Sequence, residues 1–430
     1  MTDLKKHQEE LSKCSKCGFC QAFCPVYAVT GREPEVARGR NAQLLAVLKG
    51  ELSISEIEPA LSTCLLCRAC VPSCFTGVKT DELVRAGRES FVESKRGGVV
   101  QKMVFNSILP YPARVAALLK IVLFFKRIGF ASLANRLGIL PERLRIADSL
   151  MDDVSKRFMR FRPSPHPSTH PGINTRGAKV AWFKSCGFNY LLPETGEATI
   201  RLIEGLGYEV VIPDNNCCGL PPYAHGYADA AKKLARKNIE ALEKFEMILT
   251  ECGSCSSFLK EYAELLSDDP EYAERAKIVS ERVVDSNDFI FNVLTGTAPN
   301  LRPFDELMAR NSGTVPSLKV TYHDPCHLSR YQGITREPRE ILRSVPGLEF
   351  IELPEADWCC GGAGTYSVTN NEISMKILER KMNNIKKTGA DVVATSCPAC
   401  MIQLSYGIRR EGLNIRVMHV NQLLALSLKP

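Results

Sequence analysis

Cys14, Cys17, Cys20 and Cys24 stand at the spacing C-x2-C-x2-C-x3-C and are followed by Pro25; Cys64, Cys67, Cys70 and Cys74 repeat that spacing with Phe75 in the proline's place. Gaps of two residues let three thiolates wrap one corner of an iron-sulfur cubane, while the fourth cysteine is carried by the chain to the other cluster. On that logic Cys14, Cys17, Cys20 and Cys74 serve one 4Fe-4S cluster, and Cys64, Cys67, Cys70 and Cys24 serve a second. A zinc ribbon also uses paired C-x-x-C, but it needs only four ligands, and the third closely spaced cysteine and the Pro after Cys24 speak against it.

Ten more cysteines fall into two matching sets. Cys186, the pair Cys217-Cys218 before Gly219, and Cys252 with Cys255 are separated by 30 and 33 residues; Cys326, Cys359-Cys360 before Gly361, and Cys397 with Cys400 are separated by 32 and 36. Each group follows a short β-rich run: Lys179 to Lys184, Glu209 to Ile212 and Met247 to Thr250 in the first set, Lys319 to Tyr322, Glu349 to Leu353 and Val392 to Ala394 in the second. With helices between the runs, this is a duplicated α/β unit. Loops leaving adjacent ends of a parallel sheet can bring five thiolates to one point, as a metal site requires. Five exceed the four that a cubane needs, so either one thiolate bridges two irons or one is spare and reactive. Buried apolar cysteines or reversible disulfides are the alternative, and the repetition argues against it.

Ahead of the duplication the elements are helical. One amphipathic helix runs from about Ala37 to Leu48, with Leu44, Leu45 and Leu48 on one face, and another from Thr80 to Lys95. Residues 103–150 read as helices broken by Pro110, Pro112 and Pro141. The most apolar of them, Val115 to Ile128, is too short and too interrupted by Lys120 and Lys126 to span a bilayer. It is either a buried helix between modules or one that docks on a membrane surface or a partner. Pro163, Pro165, Pro167 and Pro171 mark a stiff polar linker that ends near Gly177, and the main domain boundary is placed there.

The chain of 430 residues, 45% hydrophobic and 24% charged, suits two or three globular domains. Its net charge of +7 is unevenly placed, since residues 101–162 carry 12 basic and 4 acidic side chains, as a surface facing something anionic would. No secretory signal is visible from Met1 to Glu10, so a cytoplasmic location is expected, with possible peripheral contact on the inner face of the cell membrane. Clustered thiols in a reducing compartment point to metal.

Tyr322-His323-Asp324-Pro325-Cys326-His327-Leu328, Leu353-Pro354-Glu355-Ala356-Asp357-Trp358-Cys359-Cys360-Gly361, Gly364-Thr365-Tyr366 and Thr388-Gly389-Ala390-Asp391-Val392-Val393 resemble the cysteine-rich CCG domain. The order of modules resembles the iron-sulfur subunit of glycolate oxidase, and the first module looks like the helical two-cluster ferredoxin of fumarate reductase-type subunits. Lactate-utilisation, anaerobic glycerol-3-phosphate dehydrogenase and heterodisulfide reductase subunits share the CCG cysteines. The resemblance implies an α+β multidomain chain: a helical two-cluster ferredoxin over 1–100, a basic helical segment and linker over 101–177, and CCG domains over 178–295 and 318–430. Glycolate oxidase subunits often lack the first cysteine of the last pair, whereas Cys397 is present here. Both repeats are therefore complete, as in heterodisulfide reductases, which implies a noncubane 4Fe-4S cluster in each. His323 and His327 flank Cys326 and are candidates to donate hydrogen bonds to cluster sulfurs.

Neither G-x-G-x-x-G after a strand nor a P-loop is found, so no flavin, nicotinamide or ATP site is expected. Clusters take electrons singly and cannot accept a hydride. The chain is therefore expected to serve an FAD-containing 2-hydroxy-acid dehydrogenase subunit, passing electrons to quinone, an electron-transfer flavoprotein or another carrier, with no nucleic-acid partner. A heterodisulfide reductase-like subunit that cleaves a disulfide at its CCG clusters is the second expectation.

Overall fold

Short cysteine loops cannot bury enough apolar surface to fold alone, so the helices around them must supply the core. In the computed structural model, which describes residues 2–129, 134, 137–155, 157–159, 179–295 and 318–427, helices Ala37–Leu48, Ile54–Ser62 and Thr80–Phe91 do this, with Leu4 and Leu11 closing the N-terminal side. The buried face of Ala37–Leu48 is Ala37, Arg40, Asn41, Leu44 and Val47, at helical spacing, rather than the leucine stripe expected from the sequence, because Leu45 and Leu48 are only half-buried. Arg40 can be buried there since its guanidinium donates to the Ala60 carbonyl at 2.8 Å and to Thr63 Oγ1 at 3.0 Å. Ser53 and Glu56 form a capping box that starts Ile54–Ser62.

The duplicated half holds two sheets of four parallel strands. In the first, β1 (Lys179–Trp182), β2 (Glu209–Val211), β3 (Ile248–Thr250) and β4 (Val283–Asp285) lie in the order β2-β1-β3-β4. In the second, β5 (Leu318–Tyr322), β6 (Leu348–Ile351), β7 (Val392–Thr395) and β8 (Arg416–His419) lie in the order β6-β5-β7-β8. The fourth strand of each sheet escapes the sequence reading. No cysteine group follows Val283–Asp285 or Arg416–His419 to mark it as a strand, yet each completes a sheet edge through Ile248↔Val283 and Val392↔Arg416 pairing.

The repeats share one core. Helix Pro193–Gly205 of the first packs on Val420–Ser427 of the second, and Ser286–Leu294 of the first packs on Arg336–Ser344 of the second. A helix between the first and second strands of each repeat thus meets the helix that follows the fourth strand of the other, an approximate two-fold arrangement. Trp182, Ile200, Ile203, Ile290, Tyr322, Ile341 and Leu423 are buried together along it. Asn421 Nδ2 donates to Thr199 Oγ1 and to Ser286 Oγ, both at 3.0 Å, which uses both of its buried N–H donors at the seam.

Helix Pro112–Arg127 has no buried residue. Leu118, Ile121, Val122, Phe125 and Ile128 are all exposed at helical spacing, so the buried-helix alternative is excluded and a surface helix remains. Among the described residues no helix is long and apolar enough to cross a membrane. The proline-rich stretch 163–177 lies outside the described residues.

Candidate iron-sulfur centres

In the first module the two cysteine loops are built alike. Lys16 and Gly18 in one, and Leu66 and Arg68 in the other, have positive φ of 59°, 88°, 53° and 58°. These left-handed turns reverse the chain between successive cysteines and aim backbone amides inward, as where Leu66 N–H points at Cys64 Sγ at 3.5 Å. Left-handed backbone is strained for Leu66 and Arg68, and Arg68 is held in place by donating to Asp81 Oδ2 at 2.8 Å and by lying 4.0 Å from the Tyr331 ring centre. Cys24 caps helix Pro25–Thr30, its sulfur accepting from Tyr27 N–H at 3.5 Å, so the sulfur sits at a positive helix end.

The two quartets approach each other, with Cys24 facing both its own quartet through Cys20 and the second quartet. Cys24 interacts with Cys64, and Cys67 and Cys70 each interact with both Cys24 and Cys64. Cys74 interacts with Cys17, and Cys20 with Cys14. Burial, then the neighbouring Cys24 and Cys64, pushes the Cys67 thiol up to about 11, against the pull of Arg330. Crowded thiols that resist ionisation in this way are what a cationic metal core relieves.

Each CCG unit gathers its cysteines over the ends of three adjacent parallel strands. In the first, thiol contacts link Cys186 to Cys217, Cys217 to Cys218, Cys218 to Cys255 and Cys255 to Cys252. In the second they link Cys359 to Cys360, Cys360 to Cys400 and Cys400 to Cys397, with Cys326 in the field of Cys397 and Cys360. None of the eighteen cysteines is in a disulfide. Hydrogen bonds from Cys217 and Cys255 pull Cys218 down, and those from Cys359 and Cys400 pull Cys360 down, while Cys255 and Cys400 are pushed up by the same bonds and by burial. Sulfur donors gathered this closely, five linked in the first set and four linked with Cys326 beside them in the second, cannot all ionise and fit an iron-sulfur group.

Glycine follows each cysteine pair for a steric reason. Gly219 and Gly361 have φ of +98° and +81°, and a Cβ on Gly361 would stand 2.7 Å from the Ser374 carbonyl oxygen.

The two histidines part company. His323 is buried against the second set, with a ring nitrogen, Cys360 Sγ and Cys400 Sγ all within 4.8 Å of one another, and among the described residues nothing bonds its Nδ1. His327 instead stacks on Tyr331 at 4.2 Å and shares a 2.9 Å hydrogen bond with Ser257 Oγ. Burial, then Arg68, drives it down to about 4. It belongs to an inter-domain contact in which Tyr331 OH donates to Leu66 O at 2.8 Å and Arg85 pairs with Glu261 at 3.3 Å.

Sequence reasoning missed three basic groups around the thiols. Arg88 donates to the carbonyl of Cys64 at 2.6 Å, Arg330 to that of Cys67 at 3.2 Å, and the buried Lys381 to those of Glu355 and Ala356 at 2.6 and 3.1 Å. Arg330 lies one helical turn after Cys326 and was within reach of a spacing argument; Arg88 and Lys381 meet their partners only through the fold.

A helical module with two interlocked cysteine quartets, joined to two parallel-sheet units that each close five thiols over one sheet edge, defines an iron-sulfur electron-transfer protein. Residues 10–78 match the 4Fe-4S dicluster domain family, residues 180–260 and 320–405 the cysteine-rich domain family, and residues 96–151 the linker region of the glycolate oxidase iron-sulfur subunit. The chain is 35% identical to the probable glycolate oxidase iron-sulfur subunit of Bacillus subtilis over 96% of its own length and 93% of that protein. It is 34% identical to lactate utilization protein A of Bacillus subtilis (57% of this chain, 98% of that one) and 33% identical to a fumarate reductase (CoM/CoB) subunit of Methanothermobacter marburgensis (58% and 47%). The chain belongs to the glycolate oxidase iron-sulfur subunit family.

Proposed function

We propose that this chain carries electrons from the flavin of an FAD-containing 2-hydroxy-acid dehydrogenase subunit, with glycolate or lactate as substrate, to quinone or another carrier. In this reading Cys14, Cys17, Cys20 and Cys74 hold one cubane and Cys64, Cys67, Cys70 and Cys24 the other. Cys186, Cys217, Cys218, Cys252 and Cys255 hold one noncubane cluster, and Cys326, Cys359, Cys360, Cys397 and Cys400 a second. The observation that carries the reading is that all eighteen thiols fall into four sets, which leaves one-electron centres as the chain's chemistry. His323 acts on the second CCG cluster by a hydrogen bond to the sulfur of Cys360.

The exposed apolar face of helix Pro112–Arg127 rests at an anionic membrane surface, where a quinone would be reached. The exposed Lys120 and Arg127 supply charge beside that face.

The test is to mix anaerobic protein with glycolate or lactate. Cluster reduction that requires added flavoprotein supports the reading, and reduction without it overturns the division of labour. The complete set of five cysteines in both repeats favours a second reading, a subunit that cleaves a disulfide at its CCG clusters. Turnover of a disulfide by the isolated chain distinguishes it.

A further inference from the structure

The four thiol sets do not stand in space in the order in which the chain makes them. The second CCG set lies against the ferredoxin module: Cys326 and Cys359 are both in the field of Cys67. Cys24, Leu65, Cys67, Trp358, Cys359, Tyr366 and Ile377 form one buried apolar cluster that excludes water between the two sets. Two hydrogen bonds clamp the junction, Arg330 to the Cys67 carbonyl at 3.2 Å and Tyr366 OH to the Thr63 carbonyl at 3.0 Å. The first CCG set is reached from the second. Cys252 is in the field of Cys397, Ser254 Oγ shares a 3.3 Å hydrogen bond with Cys397 Sγ, and Gly253 N–H donates to the Ser396 carbonyl at 3.0 Å.

We propose that electrons cross this chain in the order Cys14/17/20/74, Cys24/64/67/70, second CCG set, first CCG set, so that the repeat made last conducts before the repeat made first. The proposal rests on the reading of the four sets as cluster sites. The two ends of the relay face different surroundings. Cys17 is the one exposed cysteine of the eighteen, with Phe19, Phe23 and Phe75 exposed around it. At the other end, the turn after Cys186 is covered by the basic segment: Ser155 N–H donates to Leu191 O at 2.9 Å, Met159 N–H to Asn189 O at 3.2 Å, and Tyr190 OH to Pro112 O at 3.3 Å. Pro112 begins the helix with the exposed apolar face. Flavin electrons enter at the Cys17 end and leave at the Cys186 end. Oxidation of one hydroxy acid to its 2-oxo acid gives the flavin two electrons and two protons. The electrons then pass singly, each cluster being reduced as its donor is reoxidised, and two passages with two protons from water convert a quinone to its quinol.

The test uses the full chain, loaded anaerobically and reduced either by flavoprotein with glycolate or by dithionite, with freeze-quench EPR and Mössbauer spectra following each cluster. In Cys360→Ala/Cys400→Ala protein the ferredoxin clusters should reduce at the wild-type rate and the first CCG cluster far more slowly. In Cys218→Ala/Cys255→Ala protein the second CCG cluster should keep its wild-type rate. Fast reduction of the first CCG cluster without the second overturns the order. Where a variant fails to load, spin-relaxation of the reduced Cys24/64/67/70 cluster in wild-type protein decides. It should respond to the oxidation state of the second CCG cluster; a response to the first instead overturns the proposal. The order seen with dithionite while flavoprotein gives no reduction would sustain the relay and remove the flavin donor.

Discussion

Arg330 donates to the backbone carbonyl of Cys67 at 3.2 Å, and the same side chain reaches the Asp357 carbonyl at 2.6 Å. One guanidinium thereby joins a cysteine loop of the ferredoxin module to the loop that carries Cys359 and Cys360. The positive charge also lies between Cys67 and Cys326, both of which it draws toward the thiolate form against the effect of burial.

Crossed ligation is tested at Cys24. Cys24→Ser should damage the cluster held by Cys64, Cys67 and Cys70 and spare the one held by Cys14, Cys17 and Cys20. Selective loss of the other cluster's EPR signal in the reduced protein would refute the assignment.

The glycine after each cysteine pair should resist substitution. Gly361→Ala places a Cβ 2.7 Å from the Ser374 carbonyl at a φ of +81°. A cost of about 1–3 kcal/mol is expected from the strained backbone, with loss of the second CCG cluster and a lower thermal midpoint. Iron content equal to wild type with an unchanged midpoint would show that the loop adapts.

His323 separates the two CCG sites, because Phe183 stands at the matching position before Cys186. Removing a hydrogen bond to a cluster sulfur lowers the reduction potential. His323→Phe should therefore lower the midpoint potential of one CCG cluster and leave the other three unchanged in an EPR-monitored titration. Loss of iron in place of a potential shift would make His323 a ligand.

The ion pair of Arg85 with Glu261 at 3.3 Å, backed by the Tyr223 ring 4.2 Å from the guanidinium, holds the ferredoxin module on the first repeat. Arg85→Met should cost about 1–3 kcal/mol, since both partners are mostly covered and Glu261 loses this partner. Calorimetric unfolding of the loaded protein measures it, and a wild-type profile would mean the contact is idle.

Ile121→Glu/Phe125→Glu places charge on the exposed apolar face of Pro112–Arg127. Flotation with vesicles rich in anionic lipid should recover the wild-type chain and lose the variant. Equal recovery of both would place membrane contact elsewhere or nowhere.

Much of this was legible in the sequence because cysteine spacing reports local loop geometry. The quartets, the quintets and the strand before each cysteine group are all encoded within a few residues of one another. What was not legible depends on residues far apart in the chain. The strands Val283–Asp285 and Arg416–His419 lead to no cysteine group that would mark them, and are fixed by pairing with neighbours. Arg40 and Asn41 read as polar yet are buried, because Ala60, Thr63 and Thr80 are brought to them. His323 and His327 look equivalent around Cys326, and the cysteine helix Cys326–Gln332 turns the second toward Tyr331 and Ser257.

The central claim is that every cysteine serves a cluster, and iron and sulfide analysis with EPR on anaerobically purified chain tests it most directly. Four clusters require roughly sixteen irons per chain, two cubane signals on reduction and separate signals on oxidation. About eight irons with ferredoxin signals alone, in protein shown to have lost no metal, would contradict it and return the ten CCG cysteines to disulfide or zinc chemistry.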